Sequence, residues 1–398
     1  MRRRSTAFAL IVVVSLAALL ASPSVPVVRA APAGAWQWTN VSRPVAPPAA
    51  AGTMMAYDTY ADRFLFFGGW NGRTLNETWV FDPATTTWTE LFPTVAPVSR
   101  ADGTLVYDPV DDGFVLFGGW TELANGTDVR LNDTWWFDFR YDEWRSFHLT
   151  GGSPSPRSDA AGVWDDQNLG DAEILYGGFS GSSYLGDVWA LDLTNPGVPA
   201  GTWQPLANTV PNPGLRADGR MVAGTVGTVG FLFGGNDYSG PNLTFHHLND
   251  TWALEGWVND EVVWGEYATS VTPPARDYAA EASDTHNGAV LLFGGYGNRT
   301  ILADTWTFVN GSWSQLATSG SPPGRYAGAS GYDATDGAFV IVGGLGNAGL
   351  LNDTWMLEEL PGAAPGPWLL ETAFAAVGAL VVVLVVAVWR STRASRRP

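Results

Sequence analysis

GFVLFGGWTELANGTDVRLNDTWW, residues 113–136, holds the two signals that decide the fold. An apolar run, Phe114 to Phe117, closes on the pair Gly118-Gly119, and a Leu-Asn-Asp-Thr-Trp element follows at Leu131 to Trp135. Both signals recur along the chain. Glycine pairs stand at Gly68-Gly69, Gly177-Gly178, Gly234-Gly235, Gly294-Gly295 and Gly343-Gly344, and the aromatic element ends at Trp79, Trp189, Trp252, Trp306 and Trp355. Successive pairs lie 50, 59, 57, 60 and 49 residues apart. A period near fifty residues, with glycines after an apolar strand, is the pattern of a four-stranded propeller blade.

Each repeat reads as four antiparallel strands, a to d. In the second repeat these are Thr104 to Tyr107, Phe114 to Phe117, Thr134 to Phe137 and a strand around Trp144. The glycine pair ends strand b where the backbone turns with positive φ or another segment comes close, which only glycine accommodates cheaply. Strand-d tryptophans stand at Trp88, Trp144, Trp203, Trp264 and Trp313, but the sixth repeat has none after Trp355. The missing one is at the other end. Trp38 precedes Ala50 by 12 residues, the spacing of Trp88 to Arg100, Trp264 to Arg276 and Trp313 to Arg325. Trp36 to Val41 is therefore expected to be the outer strand of the sixth repeat, closing an all-β ring of six blades.

These motifs resemble the Kelch repeat family, and the resemblance covers roughly residues 36–360. It implies a β-propeller scaffold that binds a protein or a glycan. Kelch-like propellers are also similar to the central domain of galactose oxidase. That copper-radical chemistry needs a Tyr–Cys crosslink, and a chain with no cysteine cannot make one. Disulfides and thiolate metal sites are excluded on the same ground. Neither a phosphate loop nor a G-x-S-x-G or H-E-x-x-H motif occurs, so no cofactor, metal or catalytic residue is assigned.

Charge and hydropathy separate the ends from the body. Residues 1–30 have the form of a secretory signal, with Arg2 to Arg4 before an apolar stretch and Val28-Arg29-Ala30 at the expected cleavage point. Residues 31–360 form the propeller, and 361–367 a Pro/Gly stalk. Residues 368–389, Trp368 to Trp389, span roughly 33 Å as a helix at ~1.5 Å per residue. That matches a hydrocarbon core of about 30 Å with tryptophan at both interfaces. Arg390, Arg393, Arg396 and Arg397 follow, so 390–398 is read as a basic cytoplasmic tail and the propeller as extracellular. Setting aside the eight arginines of the two ends leaves 13 against 39 acidic residues. Such a body repels nucleic acid.

Candidate binding residues gather on one face. The d–a and b–c connections of an up-and-down blade share a side, and the b–c loops are longest in repeat two (Trp120 to Arg130) and repeat four (Asn236 to His247). Scaffolds place recognition in such loops. Arg100, Arg157, Arg216, Arg276 and Arg325 occupy five of six equivalent d–a positions. They suit either an anion pocket at the channel mouth or ties to neighbouring loops. His246 and His247 lie in the longest loop. Asn125, Asn242 and Asn298 are the b–c-loop sequons best placed for glycosylation. The expectation is a membrane-anchored, non-catalytic module for an extracellular protein or glycan. The alternative is a carbohydrate-active lyase or epimerase using the arginine-lined mouth.

Overall fold

The computed structural model describes residues 36–165, 172–193, 200–224, 228–239, 244–258 and 261–360. The expected leader (1–30), stalk (361–367), membrane helix (368–389) and basic tail (390–398), and the sequon Asn242, lie outside them. Every named element among the described residues is a β-strand, and none forms a helix long and apolar enough to cross a membrane.

The strands fall into antiparallel meanders in a propeller-like arrangement. Repeat one pairs Met54–Asp58, Arg63–Phe67, Thr78–Asp82 and Thr87–Leu91 in sequence order. Repeat two does so with Thr104–Asp108, Gly113–Phe117, Thr134–Asp138 and Glu143–Ser146, and repeat five with Ala280–Asp284, Ala289–Phe293, Thr305–Val309 and Ser312–Gln315. The meanders of repeats three and four join edge to edge, through parallel pairing of Ala207 and Asn208 with Glu261 and Val262. In the sixth repeat Trp36–Asn40 pairs antiparallel with Gly349–Glu359, from Trp36 opposite Glu359 to Asn40 opposite Trp355. The two ends of the described chain thus share one sheet, as the tryptophan spacing predicted.

The core lies between sheets. Met54, Leu65 and Phe67 of repeat one pack with Leu105, Phe114, Leu116, Phe137 and Trp144 of repeat two. The same interdigitation joins each following pair, and the circuit ends where Phe66, Phe81 and Trp88 meet Ala338, Val340 and Met356 of repeat six. Large aromatic bodies suit the wedge between twisted sheets. Each strand-d tryptophan also ties itself to its neighbour. Trp144, Trp203, Trp313, Trp38 and Trp88 donate their indole N–H to the strand-c Thr78, Thr134, Thr251, Thr305 and Thr354 of the preceding repeat, at 2.8–3.1 Å. Repeat three has Val188 in place of that threonine, and Trp264 turns to the Asn208 side-chain oxygen instead.

The glycine pairs meet both demands anticipated for them. The first glycine of the second repeat, Gly118, has φ +64°, and a Cβ there would lie 2.7 Å from the Arg157 carbonyl oxygen. Gly119 donates its N–H to that same oxygen at 2.9 Å, so the pair clamps the next repeat's arginine backbone. A second clamp encircles the channel. Asp102, Asp159, Asp218, Tyr278, Ala327 and Gly52 all have φ between +51° and +65°. Each donates its backbone N–H to the carbonyl of the preceding member, closing a circle of hydrogen bonds at 2.8–3.2 Å.

Candidate functional site at the channel mouth

The five arginines are buried, from 0% exposed at Arg100 to 3% at Arg216. Their position follows from the strand entering its sheet: Arg276 Nε donates to the Pro274 carbonyl, Nη1 to the Gly294 carbonyl and Asp304 Oδ1, and Nη2 to Asp304 Oδ2. Arg100, Arg157, Arg216 and Arg325 grip Asp133, Asp187, Asp250 and Asp353 by the same two-pronged bond. Each aspartate belongs to the L-x-D-[TV]-W element, and its second oxygen also accepts the indole N–H two residues on, as from Trp306 at 2.6 Å. Burial alone would raise these carboxyls; the arginine bonds and charge outweigh it and hold all five below the ordinary aspartate value. The guanidiniums therefore fasten strand b, strand c and the d–a junction of their own repeat, and none lies open at the mouth. Repeat one supports this. It carries Ala50 and Glu77 in place of both partners, and Trp79 Nε1 is left buried without an acceptor.

The mouth is built from other residues. The d–a junctions pair with the residues that follow the glycine pairs, as in Ala101 with Trp120, Ser158 with Phe179, Ala217 with Asn236 and Asp277 with Tyr296. The left-handed ring residues thus meet the b–c loops at one end of the channel, whose cavity of about 430 Å³ runs on to the a–b turns at Thr59, Pro109 and Thr285. Three of them are acidic. Asp102 Oδ2 accepts from Trp120 Nε1 at 2.8 Å, Asp159 from Ser158 at 2.6 Å and from the Tyr278 hydroxyl at 3.3 Å, and Asp218 Oδ2 from Asn236 at 2.5 Å. Arg220 and Glu281 line the same cavity. Burial and the neighbouring Asp159 push Asp102 up to about 7, and burial raises Asp218 and Glu281 well above the usual range.

Both long loops fold as hairpins, Trp120–Glu122 with Asp128–Arg130 and Asn236–Ser239 with Thr244–His247. His246 and His247 sit on the last of these strands, with side chains on opposite partners. His246 lies against Asp237 and Thr244 on the exposed side, and His247 against Asp277 Oδ2 at 3.1 Å in the wall of the mouth. His247 belongs to a run of touching rings. Phe179, Tyr184, Tyr238, Phe245, His247, Tyr296, Tyr326 and Tyr278 follow one another at centroid separations of 4.9–6.2 Å. Arg130 extends the run, lying over both Phe179 and Trp120. Asn125 and Asn298 are exposed at loop tips, Asn298 at φ +48°.

The acidic floor escaped the sequence reading, although Arg-Ala-Asp, Arg-Ser-Asp and Arg-Ala-Asp at 100–102, 157–159 and 216–218 carry its signal. Among the described residues no three histidines or carboxylates converge in a way that could hold a metal ion.

Residues 93–257 match the KLHDC2/KLHL20/DRC7 Kelch-repeats domain, and residues 62–91 match the Kelch motif. The chain carries Kelch repeats. It is similar to the leucine-zipper-like transcriptional regulator 1 homolog of Drosophila melanogaster, 26% identical over 187 residues, 46% of this chain. The match spans 17% of that relative's length. Among solved structures it is similar to YjhT, with a TM-score of 0.58 at 16% identity, covering 78% of this chain and 95% of that one. At that identity the likeness shows the Kelch propeller fold alone.

The two carboxylate sets of these Kelch repeats titrate in opposite directions, which fixes an optimum of stability. The arginine-bound aspartates, lowered in the folded state, stabilise above the unfolded value of about 4 and cease to do so as pH falls below it. Asp102, Asp218, Glu281 and the fully buried Glu173, all raised, favour the native state at low pH. That contribution fades as pH rises, through about 7 for Asp102. The melting temperature is expected to peak in mildly acidic buffer and to fall towards both pH 3 and pH 9. A curve still rising from pH 7 to pH 9 would contradict the assignment of the raised set.

Proposed function

We propose that the chain is a non-catalytic recognition propeller of six blades that grips a protein partner on the face bearing its b–c hairpins. Kelch domains generally mediate protein–protein interaction, and both the Kelch-repeat matches and the fold agree with that role. The observation that carries the reading is the aromatic rim. Tyr238 and Phe245, 52% and 44% exposed, stand on the repeat-four hairpin in contact with each other, above an acidic mouth. Rigid aromatic side chains on a fixed scaffold supply contact area at little entropic cost and dominate binding energies. The six-blade count rests on the closed backbone circle and on the tryptophan ties passing from each repeat to the one before. Anchoring by residues 368–389, with the propeller outside the cell, is part of the same reading and rests on the apolar segment and the arginines after it. An acidic glycan held by the arginines, or a lyase or epimerase built on them, loses the open guanidiniums it relied on.

Capture of partners by the full-length chain, followed by affinity measurement on the recovered protein, tests this. The double substitution Tyr238→Ala/Phe245→Ala is expected to weaken binding by roughly tenfold or more. Tyr60→Ala, exposed in an a–b turn on the opposite side, is expected to leave it unchanged. Equal affinity in the double variant would overturn the assignment of the face.

A further inference from the structure

Inside the aromatic rim the channel mouth holds four carboxylates and one cation. Asp102, Asp159, Asp218 and Glu281 share the cavity with Arg220, whose Nη2 donates to the Gly328 carbonyl at 3.1 Å. No carboxylate lies within ion-pair distance of that guanidinium among the described residues. Its charge is shared among all four carboxylates, Glu281 most strongly, and none of them closes on it as an ion pair. Nor are the acids saturated by hydrogen bonds. Glu281 is 4% exposed, lines the cavity, and its Oε2 is buried without a partner; Asp218 Oδ1 is buried and unpartnered as well. Buried polar atoms in native proteins are nearly always paired, so an orphaned carboxylate oxygen inside a cavity marks a missing donor.

We infer that the mouth receives an alkylammonium group, presented by a lysine side chain of a partner or by a free polyamine. The inference rests on the reading of this face as the recognition face. An ammonium brings three N–H donors and one positive charge. Three ring aspartates from successive repeats offer acceptors on adjoining sides, and Glu281 lies deeper along the channel wall. A bound ammonium would draw the floor into its ionised form, whereas an anion would gain no such partner, and a metal ion finds no converging ligand set among the described residues. Tyr278, the last ring of the aromatic run, lines the cavity itself, and aromatic rings favour organic cations. Size agrees, since the cavity running from the ring to the a–b turns, about 430 Å³ in all, admits a side chain and not a folded domain.

Protons compete with the cation. Asp102 and Asp218 face Asp159, Arg220, Arg130, Tyr278 and Asp277, with His247 beyond Asp277, and Glu281 faces Arg220 and Arg276. Binding of an ammonium to the ionised floor releases protons, and affinity rises from pH 6 to pH 8.

Calorimetry on the full-length chain tests this with three probes: a blocked tripeptide with central lysine, its glutamate counterpart, and spermidine. Saturable heat is expected with a lysine or polyamine probe and none with glutamate, and the heat should vary with the ionisation enthalpy of the buffer. Asp102→Asn/Asp159→Asn keeps side chains that tolerate positive φ and is expected to weaken binding by roughly tenfold or more. Asp142→Asn, exposed in a c–d turn, should change nothing. Should the double variant melt abnormally, Glu281→Gln takes its place. A lysine probe tighter than spermidine assigns the site to a partner's side chain, and the reverse order assigns it to a free polyamine. Absence of saturable heat from both, or binding unaffected in the folded variants, would overturn the inference. If Tyr238 and Phe245 are still required for partner binding, that failure removes only the ammonium and leaves the recognition face standing.

Discussion

Arg276→Ala is expected to lower the unfolding free energy by about 3 kcal/mol, the effect of stripping one partner from a buried ion pair. The guanidinium is 1% exposed and serves four acceptor oxygens, so its removal strips a donor from the Pro274 and Gly294 carbonyls and leaves Asp304 facing an empty pocket. Asp304 would retain only the Trp306 indole among its side-chain donors. Arg276→Lys keeps the charge and loses the fork that spans both carboxylate oxygens, so it should recover less than half of the loss. Removing both partners, Arg276→Ala/Asp304→Ala, should cost less than the sum of the single changes, because no charge is then left unpaired. Urea denaturation midpoints at constant m-value, for the unsubstituted protein, Asp304→Ala and these three variants, read the comparison. A near-silent Arg276→Ala would mean that the arginine is free for a ligand after all.

Trp38→Ala is the second large effect, about 3–5 kcal/mol for truncating a buried aromatic to alanine. The indole is 3% exposed, packs on Phe293 at 5.1 Å and Phe339 at 5.7 Å, and donates to Thr305. It sits at the seam where the first described strand enters the last sheet, so its loss opens a cavity between repeats five and six and weakens ring closure together. Unfolding should broaden as well as move to lower denaturant. Trp70→Ala, on the partly exposed mouth of repeat one, serves as the comparison and should stay within about 0.5 kcal/mol. Equal effects at the two tryptophans would contradict closure by the N-terminal strand.

What could be read from the sequence was whatever each repeat states locally. Glycine pairs, strand tryptophans and the displaced Trp38 have fixed spacings, and spacing is visible without coordinates. The arginines were equally visible, but their partners lie 28 to 34 residues away in the same repeat, with strands a and b and a b–c loop between. The clue was negative: Ala50 and Glu77 depart together in repeat one. The acidic floor was legible only as a recurring Arg-x-Asp. Its meaning depends on a left-handed backbone that turns those aspartates into a ring, and on contacts between repeats that no single repeat encodes. The aromatic rim was hidden for a similar reason. Its rings come from loops of four repeats whose lengths and sequences differ.

Hydrogen–deuterium exchange on the full-length chain, with and without its captured partner, tests the recognition face most directly. Protection is expected across 120–130, 236–239, 244–247 and 296–301, with the a–b and c–d turns unchanged. Protection at those turns, with the b–c hairpins exchanging as freely as before, would contradict it.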